Sequence, residues 1–140
     1  MKAAVIQAAP VAFRGRPTLD RSSGSWPEAD RRPGRLSGSV RVVLSTLGIR
    51  LGAVVGSLCS NDGRAWFRRY WESSIDVPGP ATERSRSHQR ERGRHLVIGV
   101  IERGGGTLYC TALFFALDGT LLGKHRKLMP TGAERLVRLR

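Results

Sequence analysis

The chain has 140 residues, with 24 lysines and arginines against 11 aspartates and glutamates, so its formal net charge is +13. This length suits one domain or part of a larger one. No apolar run approaches the roughly 20 residues that a membrane-spanning helix needs, which argues against a transmembrane protein. Two cysteines are too few for a disulfide scaffold, so a reducing, cytoplasmic location is expected.

Arginine carries most of the positive charge, because lysine occurs only at Lys2, Lys124 and Lys127. The excess is concentrated in residues 13–50, 84–94 and 124–140. A strongly basic chain makes nucleic acid the first partner to consider. The basic segments, however, contain no interleaved aromatic residues and no recognition motif. We therefore expect no specific nucleic-acid partner, although non-specific, salt-sensitive binding stays open.

The first half of the chain mixes ordinary globular segments with an irregular one. Residues 3–6 (AAVI) predict a short buried strand. The segment 21–49 is rich in Arg, Ser, Gly and Pro over much of its length and predicts irregular structure. Apolar residues at helical spacing predict a helix over 64–73, ended by the Pro-Gly-Pro sequence in 76–80. The basic segment 84–94 again predicts a linker.

The second half predicts consecutive strands. The apolar run 95–101 (HLVIGVI) has the length of a strand covered on both faces. Residues 102–106 predict a glycine-rich turn, and 107–116 (TLYCTALFFA) the return strand of a hairpin. Asp118-Gly119 is a second turn signal, followed by a short strand over 120–127. The sequence thus indicates an α/β protein.

Four stretches of the sequence belong together: MKAAVIQAAPVAF at 1–13, LGAVVGS at 51–57, DGRAWFRRYWESSIDVPGPATER at 62–84 and HLVIGVIERGGGTLYCTALFFALDGTLLGKHRKLMPTGAERLV at 95–137. In combination they resemble the nitrilase branch of the carbon–nitrogen hydrolases. The string GKHRKLMPT followed by Glu-Arg is the most specific part. The resemblance implies an α-β-β-α sandwich, of which residues 1–140 are expected to form a partial, N-terminal domain. Within it, 21–49 and 84–94 match poorly.

The resemblance also implies a chemistry, the hydrolysis of a nitrile to a carboxylic acid and ammonia by a Glu–Lys–Cys triad. A cysteine thiolate attacks the nitrile carbon, a glutamate moves protons, and a lysine stabilises the charged intermediate. The three histidines show no ligand spacing. We expect a small-molecule nitrile as substrate, and neither a metal nor another cofactor.

Two residues match functional positions of the family. Lys127 matches the catalytic lysine, and Glu134 matches a second glutamate that lines the site and positions the lysine or the nucleophile. Without the surrounding string, a solvated lysine in a basic loop is the favoured interpretation of Lys127. Glu134 has an alternative interpretation too, as an ion-pair partner of Arg135 or Arg138.

The catalytic glutamate and the cysteine nucleophile have no clear counterpart. The family places its glutamate in an FPEAF-like strand end before the LGAVVGS segment. Glu28, in Trp-Pro-Glu-Ala, imitates that motif but falls too early, and an exposed loop carboxylate is the simpler interpretation. Cys59 and Cys110 are not followed by the Trp-Glu of the family's cysteine motif, which lies beyond the lysine. We therefore expect this chain to be inactive.

Two further interpretations accompany the resemblance. The chain could serve as a non-catalytic interaction piece, since nitrilases of this branch self-associate, and it would then form a homo-oligomer or associate with a full-length relative. The poorly matching, arginine-rich segments have the composition that GC-rich coding DNA gives when read out of frame. Translating the locus in all three frames tests that hypothesis, which fails if no FPEAF-like peptide appears opposite residues 20–50 and no CWEN-like motif lies downstream.

Overall fold

The computed structural model describes Val42–Val43 and residues 61–130. In chain order these residues form β1 (Val42–Val43), α1 (Asn61–Ser73), β2 (Ile75–Asp76), α2 (Pro80–Arg92), β3 (Leu96–Gly104), β4 (Thr107–Phe115) and β5 (Leu121–Arg126). The predicted strand over 3–6 lies outside the described residues. Within the described part of the chain, no helix is long and apolar enough to cross a membrane.

Helix α1 confirms the helix predicted from aromatic spacing. Tyr70 is 1% exposed and forms a cluster with Leu108 of β4, against which partly buried aromatic side chains of α1 pack. The helix ends at Ser73, before the Pro-Gly-Pro sequence, and the Ser74 hydroxyl donates to the carbonyl oxygen of Tyr70 at 2.8 Å. Burial of the aromatic stripe therefore attaches α1 to the sheet.

Helix α2 corrects the expectation that residues 84–94 are irregular. Pro80 occupies the first turn, where a missing N–H costs nothing. The Thr82 hydroxyl accepts a hydrogen bond from the N–H of Gly79 at 2.8 Å. Gly93 ends the helix with φ of +57°, a left-handed conformation that glycine adopts without strain. These end signals lie at or beyond the edges of the arginine-rich run, which is why its composition alone was misleading.

One face of α2 is buried although the helix is rich in arginine. Thr82, Ser85 and Gln89 are buried, and their spacing of three and four places them on one side. The amide of Gln89 also donates to the carbonyl oxygen of Arg94 at 2.7 Å, which joins the helix to the residues before β3. The buried face of α2 therefore consists of small and polar side chains, and it lacks the apolar stripe by which amphipathic helices are predicted from sequence.

The described strands form a single mixed sheet in the order β1-β3-β4-β5, with β2 also paired to β3. Strands β3, β4 and β5 are consecutive and antiparallel. Both β1 and β2 are parallel to β3, β1 near its start and β2 near its end. The strand at Val42–Val43 corrects the expectation of irregular structure for that part of 21–49.

The predicted hairpins are confirmed with small changes of boundary. Strand β3 continues through Glu102 to Gly104, so only Gly105 and Gly106 form the turn, with φ of +57° and +81°. At the next turn the backbone N–H of Thr120 donates to the Asp118 carboxylate at 2.8 Å. Because both connections are short, β3, β4 and β5 lie next to one another in the sheet.

The main hydrophobic core lies on one face of this sheet. Its fully buried members are Leu96 and Ile98 of β3 with Leu113 and Phe115 of β4. Leu96 lies opposite Phe115 and Ile98 opposite Leu113, so the four side chains share a face. Further along β3, the same face carries a charged residue.

Candidate active site

A buried carboxylate, that of Glu102, lies near the end of β3. Its residue is only 1% exposed. It accepts hydrogen bonds from the Thr111 hydroxyl at 2.8 Å and from Lys124 Nζ at 2.5 Å. Arg126 adds two more, from Nε at 3.0 Å and from Nη2 at 2.8 Å. The buried negative charge is therefore paired with two cations, as burial of an ion requires.

The strand register brings these residues together. Thr111 of β4 lies opposite Val100 of β3 on one side and opposite Arg126 of β5 on the other. Side chains alternate between the faces of a strand, so Glu102 shares a face with Val100, and Lys124 shares a face with Arg126. Three strands thus present one carboxylate, one hydroxyl and two cations to the same region.

The electrostatic balance keeps Glu102 ionised. Burial by itself would raise the pKa of this carboxyl group. The hydrogen bonds from Arg126, Lys124 and Thr111 outweigh burial and lower the pKa from 4.5 to about 2. In the same pair, the hydrogen bond to Glu102 raises the pKa of the Arg126 guanidinium. The Glu102 carboxyl group is consequently ionised at neutral pH.

Arg126 has a second partner on the neighbouring strand. Its guanidinium carbon lies 3.8 Å from the centre of the Tyr109 ring, a cation–π contact. Gly104 leaves room for this arrangement, because a Cβ there would lie 3.0 Å from Arg126 Nη2 and 3.4 Å from the Tyr109 ring. A carboxylate, an aromatic face and a glycine together fix the guanidinium.

Lys127 follows directly after β5 and is half-buried. Its backbone N–H donates to the carbonyl oxygen of Cys110 at 2.8 Å, which extends the pairing of β5 with β4 by one residue. Cys110 itself is a half-buried, free cysteine within β4. The structure thus places the predicted lysine immediately beyond Arg126, which makes two hydrogen bonds to Glu102.

Other predicted site residues have different positions. Glu28, Glu134 and Cys59 lie outside the described residues, so the predicted role of Glu134 stays a prediction. His88 lies on α2, His95 before β3, and His125 on β5. Among residues 61–130, no group of three or more His, Cys, Asp or Glu side chains is placed to hold a metal ion.

The network around Glu102 was not predicted from the sequence, which assigned this residue to a turn. The available signal was weak: an acid continuing an apolar strand, with two cations spaced by two in the GKHRK segment. Spacing by two places Lys124 and Arg126 on one face of a strand. Only the register of β3 on β4 and of β4 on β5 shows that all three share that face.

In the described part of the chain, two helices and a mixed sheet, with a lysine directly after a strand end and next to a buried ion network, define an α/β protein. The family model described as carbon–nitrogen hydrolase matches residues 2–139, and the chain belongs to this family of enzymes. The match includes the segment 21–49 within its span.

Curated relatives support the nitrilase branch. The chain is 44% identical over 137 residues to an aliphatic nitrilase of Sinorhizobium fredii, covering 96% of this chain and 44% of the relative. It is 51% identical over 90 residues to nitrilase 3 of Arabidopsis thaliana, covering 64% and 26%. A bifunctional nitrilase/nitrile hydratase of Lupinus angustifolius is 37% identical over 139 residues, covering 98% and 40%. The chain spans less than half the length of these relatives.

Solved structures agree on the fold. An N-terminal amidase superposes with a TM-score of 0.66 at 16% identity, covering 95% of this chain and 29% of that one. A carbon–nitrogen hydrolase from Helicobacter pylori G27 gives a TM-score of 0.65 at 15% identity, covering 96% and 42%.

Proposed function

We propose that the chain supplies part of a nitrilase site that acts on a small nitrile. In the overall reaction R–C≡N and two molecules of water give R–COOH and NH3. The observation that carries the proposal is the similarity to proteins named as nitrilases, at 44% identity over nearly the whole chain. The amidases among the structural neighbours share the fold at 16% identity, so they do not favour an amide substrate.

In this proposal Lys127 stabilises the negative charge that develops when a thiolate adds to the nitrile carbon. A fixed ammonium in a partly water-excluded site is worth far more than the same charge in bulk water. Lys127 is half-buried, and its backbone is anchored to Cys110 of β4. Glu134, seven residues further on, is proposed to position the lysine or the nucleophile.

We also propose that the 140 residues on their own do not turn over nitriles. Of the two cysteines, neither is followed by Trp-Glu. Cys110 lies in the middle of the sheet, paired opposite Ile101, where its backbone is part of a ladder. A strand-interior cysteine of this kind is usually a small packing residue.

The first experiment measures ammonia release from a panel of aliphatic and aromatic nitriles by the purified 140-residue polypeptide. The Sinorhizobium fredii relative serves as the positive control. We expect release no higher than the blank, and release above it that disappears in Cys110→Ser would overturn the inactivity proposal.

A chimera tests the role of Lys127. Residues 50–137 of this chain replace the aligned segment of the Sinorhizobium fredii nitrilase, which supplies the remaining sequence. We expect the chimera to hydrolyse nitriles and Lys127→Met to reduce kcat by about a hundredfold to a thousandfold. Arg103→Lys, a conservative change on β3, is the matched control. An active chimera whose kcat is unaffected by Lys127→Met would refute the proposed role.

Association with a full-length relative is a second proposal, supported by exposed apolar side chains around β5. Leu122, Leu128 and Met129 are 63%, 82% and 67% exposed. Exposed apolar side chains that form one contiguous patch often mark interaction surfaces, and this proposal requires that these three do so. Co-purification of the tagged chain with the relative, reduced by Leu122→Ser and Leu128→Ser together, is the expected result. Unchanged co-purification in that double variant would contradict a role for this surface.

A further inference from the structure

The carboxylate of Glu102 joins β3 to both of the following strands. Its hydrogen-bond donors are Thr111 on β4 and Lys124 and Arg126 on β5. Breaking a buried ion network of this kind leaves uncompensated charge, so its members hold one another in place.

Strand β5 depends on this network because it ends the described sheet. In the described part of the chain its only strand neighbour is β4. The end of an edge strand opens more readily than a central strand, since fewer contacts restrain it. At that end, two side chains of β5 are held by one carboxylate, and the next residue carries the proposed functional ammonium.

Two restraints meet at the junction between Arg126 and Lys127. On the side-chain side, the Arg126 guanidinium is bonded to Glu102 and covered by the Tyr109 ring at 3.8 Å. On the backbone side, the N–H of Lys127 donates to Cys110 at 2.8 Å. The backbone of Lys127 is therefore held both by its own hydrogen bond and by a neighbouring residue whose side chain is anchored to β3 and β4.

We propose that Glu102 is a positioning residue, which acts through Arg126 and Lys124 to hold the backbone of Lys127 in the place where its ammonium serves the reaction. The inference rests on the proposed function of Lys127, but the restraint itself is a property of the folded chain.

Hydrogen exchange of the full 140-residue chain tests the restraint without turnover. In Glu102→Gln we expect the Lys127 amide to exchange about tenfold faster or more, while the amides of α1 stay within about twofold of wild type. Glu72→Gln removes the exposed pair with Arg68, at 2.9 Å, and is the matched control with no expected change at Lys127. Glu102→Asp, which restores the charge, should recover part of the protection.

A second readout follows the side chain. The three lysines allow the acylation rate of Lys127 to be compared with that of Lys2 by mass spectrometry. We expect this ratio in Glu102→Gln to depart from wild type by about threefold or more. If Glu102→Gln does not fold, Arg126→Lys is the second variant, because it keeps the positive charge but loses the two-bond geometry. We expect Arg126→Lys to accelerate exchange of the Lys127 amide and to shift the acylation ratio away from the wild-type value.

The outcomes separate the two proposals. Wild-type exchange and acylation at Lys127 in Glu102→Gln, or equal acceleration of the α1 amides, would overturn the positioning role. An active nitrilase chimera that tolerates Lys127→Met would instead overturn the proposed function while leaving the local restraint intact. In an active chimera, positioning further predicts that Glu102→Gln lowers kcat by more than it raises KM.

Discussion

Acidification should remove the stabilisation that Glu102 provides. Its pKa falls from 4.5 to about 2 in the folded chain. At about 1.4 kcal/mol for each pKa unit, this corresponds to about 3 kcal/mol of unfolding free energy at neutral pH. That value is an upper figure, because the Lys124 and Arg126 side chains are 34% and 40% exposed and water screens them.

The direction follows from the lowered pKa. The contribution is fully present above pH 4.5, decreases to about 1.4 kcal/mol at pH 3, and is lost as the pH falls through 2. In Glu102→Gln no carboxylate is left to titrate at this position. The difference in unfolding free energy between wild type and Glu102→Gln should therefore shrink by about 2 kcal/mol between pH 7 and pH 3.

Urea unfolding followed by tryptophan fluorescence measures this difference at each pH. Glu72→Gln is the control: its pair with Arg68 is exposed, and its removal should cost less than about 0.5 kcal/mol at either pH. If the difference in unfolding free energy between wild type and Glu102→Gln is the same at pH 7 and pH 3, that result refutes the reasoning. Folding would then not change the proton affinity of Glu102.

Three other predictions concern stability and are checked by thermal or urea unfolding. Leu113→Ala should lower the unfolding free energy by about 2–5 kcal/mol, because the residue is 1% exposed. Leu122→Ala, at a residue that is 63% exposed, should lower it by less than about 0.5 kcal/mol. Equal losses in the two variants would contradict the position of the core on the Leu113 face of the sheet. Gly119→Ala should lower the unfolding free energy by about 2 kcal/mol or more, since φ is +82° and a Cβ would lie 2.4 Å from a carbonyl oxygen of α2. Gly123→Ala, where no atom lies within 4 Å of the added Cβ, should lower it by less than about 1 kcal/mol. Thr82→Val should cost about 1 kcal/mol through loss of the hydrogen bond at the start of α2, and an unchanged midpoint would contradict that assignment.

The three antiparallel strands and α1 could be predicted from sequence because their signals are local. The apolar run of β3, the Gly105–Gly106 and Asp118-Gly119 turns, and the aromatic spacing of α1 each depend on neighbouring residues only. Helix α2 could not be predicted in this way, because its buried face is made of Thr, Ser and Gln and its arginines conceal the pattern.

The candidate site also contains one residue that a local sequence signal identifies and one whose role depends on tertiary structure. Lys127 stands in a specific string of residues, and its family position stays a prediction made from that string; the structure shows only that it lies directly after β5. Glu102 acquires its role only from the pairing of three strands, which places Thr111, Lys124 and Arg126 around it. Composition near Glu102 indicates a turn, whereas tertiary pairing extends the strand through it.

The consecutive arrangement of β3, β4 and β5 has a consequence for the order in which the chain folds. Hairpins joined by short turns close small loops, which costs little chain entropy, while the parallel pairing of Val42 with Val97 closes a much longer one. We expect the three-stranded meander to form early and β1 to join it late. The ion network would then assemble within the meander, before the distant parallel strand is in place.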